Sequence, residues 1–399
     1  MLDEPPKRRP PNTSFKQQRL KAWQPILTAK SVLPAFFILG ILCAPLGGLL
    51  VWRNGQITEM TFEYTDCASV QTPRPVPEST FVHSTAIAAF DKPIYVIQPP
   101  QNRTVTPAPG STAFHSYPVN TCTINLTIPV DIQAPVMLYY KLTNFYQNHR
   151  RYTKSLDHKQ LSGEASELPQ IKARKGCLVP DGSTDLFYPC GFIANSMFND
   201  TISELTGVDG GAGYTFEHTG IAWSSDRGRY KKYGYPDVTK ILPPTNWQKR
   251  YPDGRYSNDF PPPDLSSDEH FQVWMRTAGW PTFLKAYGRN DKEDLKAGKY
   301  QMTIDMNFPI EKYGGKKFIV ITTIGSIGGR NNFLGIAYVF LAVLCAALGI
   351  IFTAFHVIKP RVIGDHSKIS FGGDSAQARG ANRADDAGGN RIRSRYEDD

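Results

Sequence analysis

Two stretches of this 399-residue chain carry no charged side chain and are long enough to cross a bilayer, which leaves few options for the rest. Residues 31–52, SVLPAFFILGILCAPLGGLLVW, contain no Asp, Glu, Lys or Arg. Residues 331–358 are equally free of formal charge, with only His356 near their end, and contain FLGIAYVFLAVLCAALGIIFTAF. A helix needs about 20 apolar residues to span the hydrocarbon core. The first run is longer than the ~7–15-residue apolar segment of a secretory signal, and no small-residue cleavage site follows it. The second is stopped by Lys359, Pro360 and Arg361, which argues against a buried core helix. The expected layout is an N-terminal arm (1–30), a first span (31–52), a large domain (53–330), a second span (331–358) and a C-terminal tail (359–399).

Two spans place both termini on one side. The arm holds seven Lys/Arg against two Asp/Glu, whereas Arg53 alone follows the first span closely, so the positive-inside bias puts both ends in the cytosol. The second span agrees less cleanly, with Arg330 on one flank and Lys359 and Arg361 on the other. Cysteines and glycosylation acceptors test sidedness independently. Cys67, Cys122, Cys177 and Cys190 all lie between the spans, an even set that suits disulfides and an oxidising compartment. The acceptor pattern Asn-x-Ser/Thr occurs there at Asn102, Asn125 and Asn199. Asn12 also fits the pattern but falls in the cytosolic arm. The formal net charge of +9 is mostly in the arm, and the near-neutral remainder gives no support to nucleic-acid binding.

The domain reads as mainly β. Residues 136–146 are rich in β-branched and aromatic side chains, 300–310 alternate, and 316–324 form an apolar run able to be buried on both faces. Pro and Gly clusters interrupt the rest, and an antiparallel β-sandwich with long irregular insertions is the expected fold. Residues 281–289, opening with Pro281, are the best helical candidate. Residues 70–120 are the least structured by composition, and the tail after Phe371 is expected to be disordered.

Catalytic signatures are missing: the chain has no GxSxG, HExxH, P-loop or CxxC, and no DKTGT phosphorylation motif. Neither a cofactor nor a metal site is expected. The glycines at 210–213 and 325–329 read as turns. His149 beside Arg150 and Arg151 reads as a polar network at a strand end, and Asp264, Asp268 and Glu269 as a solvated loop. The spans offer small residues at packing spacing, Ala44 with Gly48 and Ala342 with Ala346, which suit either another protein's helix or each other. In the arm, Phe15, Leu20 and Trp23 are interleaved with Lys16, Arg19 and Lys21, a pattern that fits either an interfacial segment or a docking segment.

Several long segments carry a resemblance. NTSFKQQRLKAWQPI (12–26), NFYQNHRRY (144–152), PCGFIANSMFNDT (189–201), GIAWSSD (220–226), WMRTAGWPTFLKAYGR (274–289) and NNFLGIAY (331–338) resemble, in order, the cell-division-control-fifty (ligand-effect-modulator) family. The family comprises accessory subunits of lipid-flipping type IV P-type ATPases. The resemblance implies a β-sandwich exoplasmic domain and no catalysis by this subunit. It also implies a heterodimer with an ATPase that moves aminophospholipid from the exoplasmic to the cytosolic leaflet. Such subunits are needed for the pump's exit from the endoplasmic reticulum, and their complexes reside in the secretory pathway or plasma membrane. It further implies that Phe15, Arg19, Leu20 and Trp23 contact the pump. Other classes remain open, a membrane-anchored receptor or adhesion protein and an exoplasmic enzyme acting on glycans or lipids. Four cysteines allow three connectivities. Pairing in sequence order, Cys67 with Cys122 and Cys177 with Cys190, is the expectation.

Single Asn→Gln changes at Asn102, Asn125 and Asn199 should each be read by mobility with and without glycosidase. At least two should remove one glycan each, and Asn12→Gln should remove none. A shift lost in Asn12→Gln would overturn the topology.

Overall fold

The computed structural model describes residues 11–22, 27–84, 90–174, 176–177, 179, 185–325 and 328–360. Trp23 and the tail after residue 360 lie outside the described residues. The chain divides into two compact units, Met1–Leu49 with Phe333–Asp399, and Leu50–Asn332.

The first unit is built on two helices long and apolar enough to cross a membrane, α1 (Ala29–Gly55) and the chain's last helix (Phe333–Ile358). Apolar side chains gain little by leaving lipid for another helix, so close van der Waals approach must hold the two together. Glycines make that approach possible. A Cβ at Gly47 would stand 2.8 Å from the Val339 backbone nitrogen, and one at Gly349 would stand 3.0 Å from the Phe37 ring. Gly40, Cys43 and Gly47 are buried along one side of α1, and Ala342, Cys345 and Gly349 along one side of the last helix. The large side chains Ile41, Leu42, Phe340 and Val343 are left pointing outward.

The second unit is mainly β. Its two principal sheets use β1 (Glu59–Glu63), β2 (Arg74–Pro75), β3 (Ser79–Val82), β4 (Ile94–Ile97), β5 (Thr121–Ile128), β6 (Val136–Leu142), β7 (Thr201–Ile202), β8 (Thr206–Gly207), β9 (Phe283–Asn290), β10 (Gly298–Asp305) and β11 (Lys317–Thr323). One sheet runs β9-β6-β11-β1-β3 and the other β7-β10-β5-β4-β2, with β8 also on β10, and every pairing in both is antiparallel. Met60, Phe62, Leu138, Ile319 and Ile321 of the first sheet share one core with Ile124, Leu126, Met302 and Ile304 of the second. The run at 316–324 becomes β11, central in its sheet and buried on both faces from Lys317 to Thr322. Cys67, in the turn after β1, is bonded to Cys122 on β5, Cα–Cα 5.9 Å, so one staple joins the two sheets. Cys177 is bonded to Cys190, Cα–Cα 5.1 Å.

Three expectations need correction. Residues 281–289 are not helical: Phe283–Asn290 is the edge strand β9, in register with β6. Phe283, Lys285 and Tyr287 point inward and Leu284 outward, a period of two that tertiary pairing enforces over local helix propensity. The nearby helix is instead α2 (Glu269–Met275), capped by Asp268, which accepts from the Phe271 N–H at 2.9 Å. Glu269 is buried and accepts from the Ala222 N–H, so only Asp264 of that acidic trio sits in an exposed turn. Residues 70–120 are also more ordered than their composition suggests. They supply β2, β3, β4 and a hairpin of Gln101–Thr104 with Ser116–Val119, and Tyr95 of β4 is fully buried. The prolines punctuate short strands, and Pro75 occupies the sheet edge, where its missing N–H is tolerated.

The core is not wholly apolar. Lys317 Nζ lies 2.7 Å from Asp200 Oδ2, and both side chains are closed to solvent. Tyr64 donates to the same oxygen at 3.0 Å, and the Asn307 and Phe308 N–H groups donate to Oδ1 at 2.6 Å each. Lys317 Nζ also donates to the Phe308 carbonyl at 3.1 Å. Replacing Lys317 by Met should strand a buried carboxylate and destabilise the domain by about 3–5 kcal/mol. The double variant Lys317→Met/Asp200→Leu should recover part of that loss. Thermal unfolding of the purified chain measures both, and equal losses in the two variants would show that the ion pair is not the cause.

Candidate interaction site

The chemistry-bearing side chains with displaced proton affinities have structural explanations. Lys285 Nζ donates to the Val273 carbonyl at 2.9 Å and to the Arg276 carbonyl, so it caps the end of α2. Burial, and then the charge of Arg276, pull this amine down to about 7. His270 is pulled down to about 4 by burial and by His218, whose ring lies 5.2 Å away. Among the described residues no group of His, Cys, Asp and Glu has the arrangement of a metal site. His149 caps a one-turn helix, Arg150–Thr153, by accepting from the Arg151 N–H at 3.3 Å.

What the domain does present is a set of exposed aromatic side chains whose supporting segments, three of the long ones singled out above, are tied to one another. Phe145 anchors the first segment in the core, with ring centroids 5.7 Å from Trp274, 4.9 Å from Tyr313 and 5.9 Å from Phe308. The buried Gln147 accepts from the Ala278 N–H at 2.8 Å, and Asn148 donates to the Gly279 carbonyl at 2.9 Å. The Phe145 N–H reaches the Pro281 carbonyl at 3.0 Å. These bonds lock residues 145–148 against 278–281 and leave Tyr146 56% and Trp280 78% exposed.

The third segment joins through Arg276. Its guanidinium donates to Asp226 at 3.0 Å and lies 4.5 Å from the Trp223 ring centroid, and Trp223 is 66% exposed. Glu269 fixes the loop that precedes Trp223 through the Ala222 N–H, and Arg227 approaches the same carboxylate at 3.6 Å. Exposed arginines 150 and 151 stand on the first segment, and 227 and 229 just beyond the one that carries Trp223. Large aromatic rings and arginines on an immobilised base lose little entropy on binding, the composition typical of protein–protein hot spots. Within those longer segments, Tyr146, Trp223 and Trp280 do not stand out from the sequence as contact residues. The available signal was three bulky aromatics beside polar or turn residues, as in Gly279–Trp280–Pro281.

The residues selected from sequence fall elsewhere. In the arm, Phe15, Arg19 and Leu20 are exposed on a short turn in which the Arg19 N–H reaches the Ser14 carbonyl at 2.7 Å. Ala342 is buried and Ala346 half-buried in the helix pair, whereas Ala44 and Gly48 are exposed, and a Cβ at Gly48 would meet nothing within 4 Å. Asn102 and Asn125 are exposed and Asn199 is half-buried.

Comparison with known proteins adds to this geometry. A sequence model of the LEM3 (ligand-effect modulator 3) family / CDC50 family matches residues 50–362. The chain is 36% identical over 385 residues to the phospholipid-transporting ATPase accessory subunit CDC50 of Chaetomium thermophilum, covering 93% of each chain. It is 38% identical over 365 residues to the phospholipid-transporting ATPase accessory subunit CRF1 of Saccharomyces cerevisiae, covering 91% of this chain and 89% of the relative. It is 37% identical over 368 residues to cell cycle control protein 50A of Mus musculus, covering 86% and 88%.

His270 sets a pH limit on the domain's stability. Around its ring stand His218, Glu269 and Tyr287, and Glu204 bonds His218 at 3.1 Å. A histidine near 4 when folded and near 6.5 when unfolded stabilises the fold fully above pH 6.5 and loses that contribution as the pH falls toward 4. The loss should reach up to about 3 kcal/mol. Unfolding measured from pH 7 to 4 should fall less steeply for His270→Phe than for the wild type, and parallel slopes would refute the assignment.

Proposed function

The chain belongs to the LEM3/CDC50 family, and from that membership we propose that it is the accessory subunit of a phospholipid-translocating type IV P-type ATPase. The observation that carries this reading is similarity over more than four-fifths of both chains to proteins named as phospholipid-transporting ATPase accessory subunits. In this reading the arm 1–30 and the tail 359–399 are cytosolic, and residues 53–330 form the glycosylated, exoplasmic domain. The complex travels the secretory pathway to Golgi, endosome or plasma membrane, and the pump moves aminophospholipid toward the cytosolic leaflet. The subunit performs no chemistry itself. Its spans hold no Asp, Glu, Lys or Arg that would serve an ion or proton path.

Three surfaces fit such a partner. Ala44 and Gly48 offer a small-residue face on α1 outside the contact with the other helix. Tyr146, Trp223 and Trp280 offer preorganised anchors on the domain. Phe15, Arg19, Leu20 and Trp23 offer a basic and aromatic strip on the cytosolic arm. A bound subunit shifts a conformational cycle only by binding one state better than another. The subunit's effect on the pump is therefore a difference in affinity between states of the transport cycle.

Reconstitution of the pump alone, the subunit alone and the complex, with fluorescent phosphatidylserine, tests the role. Transport should require both chains. Transport by the subunit alone, or full-rate transport by a folded pump without it, would refute it. Deleting residues 1–24 should leave co-purification intact and change the ATPase rate. Trp223→Ala/Trp280→Ala should weaken association by about thirtyfold, the size of a hot-spot loss.

A further inference from the structure

The two ends of the folded domain meet in an asparagine clasp. The Asn331 N–H donates to Asn54 Oδ1 at 2.6 Å, and the Asn54 amide donates to Asn332 Oδ1. Asn54 is buried, whereas Asn331 and Asn332 are exposed, so the clasp is anchored from the α1 side. An arginine stands beside each half of it. Arg53 follows the charge-free run 31–52 directly, and Arg330 directly precedes the charge-free run 331–358. Both cations therefore fall at the edge of the hydrocarbon layer, on the side of the domain.

Arg330 lacks something there. Its side chain is half-buried, and its Nε is shut away from solvent with no hydrogen-bond partner among the described residues. Glu59 feels its charge: burial pushes the Glu59 carboxyl up, and Arg330 and then Lys141 pull it back. That through-space effect leaves the Nε proton without an acceptor. A guanidinium N–H removed from water and left unbonded is costly, and an acceptor supplied from outside the chain relieves the cost. Arg53 is the open half of the pair. Its guanidinium lies 5.0 Å from the Trp52 ring centroid, and Trp52 is itself exposed.

Tryptophan followed by arginine at a span's end is suited to the headgroup layer, the indole at the ester level and the cation among the phosphates. Arginine's planar fork matches a phosphate with two parallel hydrogen bonds, which a lysine cannot reproduce. We propose that Arg53 and Arg330, flanking the Asn54–Asn331 clasp, hold the phosphate of one phospholipid in the leaflet that faces the domain. The clasp keeps the two arginine-bearing segments together, and Trp52 covers the lipid's glycerol end. Because the arginines reach the phosphate and no contact is made to the headgroup beyond it, the site accepts phosphatidylcholine, phosphatidylethanolamine and phosphatidylserine alike. A phosphodiester stays anionic throughout the physiological range, so its binding is also insensitive to pH there.

The test uses the full chain in complex with its ATPase, in nanodiscs containing a phospholipid with a photoactivatable group beside the phosphate. In the wild type, label should appear on the peptides carrying Trp52–Asn54 and Arg330–Asn332, with similar yield for choline, ethanolamine and serine headgroups. Arg53→Gln/Arg330→Gln should lower the yield about tenfold or more, and Arg53→Lys/Arg330→Lys should fall between. Excess inorganic phosphate should not compete. Wild-type label absent from those peptides would overturn the proposal whether or not the variants fold. Unchanged label in the Gln variant would overturn it too. Displacement by inorganic phosphate would reveal a soluble-anion site instead. Loss of the ATPase from the Gln variant, with wild-type peptides unlabelled, would make the occupant a carboxylate of the partner protein.

Discussion

The large domain depends on one buried carboxylate. Asp200 has no access to water, and its two oxygens together take hydrogen bonds from Lys317, Tyr64 and the Asn307 and Phe308 backbone N–H groups. A lone charge in that position would not be tolerated, and the set as a whole is satisfied. Its members come from four places in the chain: the end of β1, the start of β7, the turn after β10 and the start of β11. They can all be satisfied only when both sheets are in their final register. The tyrosine is held far from ionisation by burial and by Asp200, so it acts as a fixed donor.

The two apolar helices obey the opposite rule. Apart from the bonds of Asn54 to Asn331 and Asn332 at one end, their contact relies on removing side-chain volume. Glycine at 40, 47 and 349 and small side chains at 43, 342 and 345 let the backbones close, while the bulky residues turn outward. Tight packing on one side therefore coexists with an open small-residue strip, Ala44–Gly48, on another. Two adjacent glycines, Gly47 and Gly48, thus serve different faces of the same helix.

Much of this architecture was legible in the sequence, for identifiable reasons. The spans declare themselves because hydrocarbon forbids charge over about 20 residues, a constraint read without tertiary knowledge. β11 was legible because a strand buried on both faces becomes a continuous apolar run. β9 was not, because Pro281 suits a first helical position and Leu284, Lys285 and Ala286 carry helical propensities that pairing to β6 overrides. β4 was hidden by its proline-rich flanks, although Tyr95 is among the most buried residues of the domain. The arm's aromatic and basic pattern could be picked out from residue type alone. The set of Tyr146, Trp223 and Trp280 could not, since its three segments are far apart in the chain and only hydrogen bonds such as Gln147 to Ala278 bring them together.

One pairing carries a consequence for biogenesis. β1 is the first strand of the domain to leave the ribosome and β11 the last, yet they lie side by side, Met60 opposite Ile321 and Phe62 opposite Ile319. Until the final strand emerges, the backbone edge of β1 that β11 will cover stays unpaired through the synthesis of more than two hundred intervening residues. Such an edge is a template for wrong partners and a handle for chaperones. Closing the sheet therefore requires that the whole domain has been made, and it comes just as the second apolar helix follows. A truncated or stalled chain cannot imitate that state. The domain's topology thus makes the folded state a measure of chain length, reached only by a chain that includes its last strand.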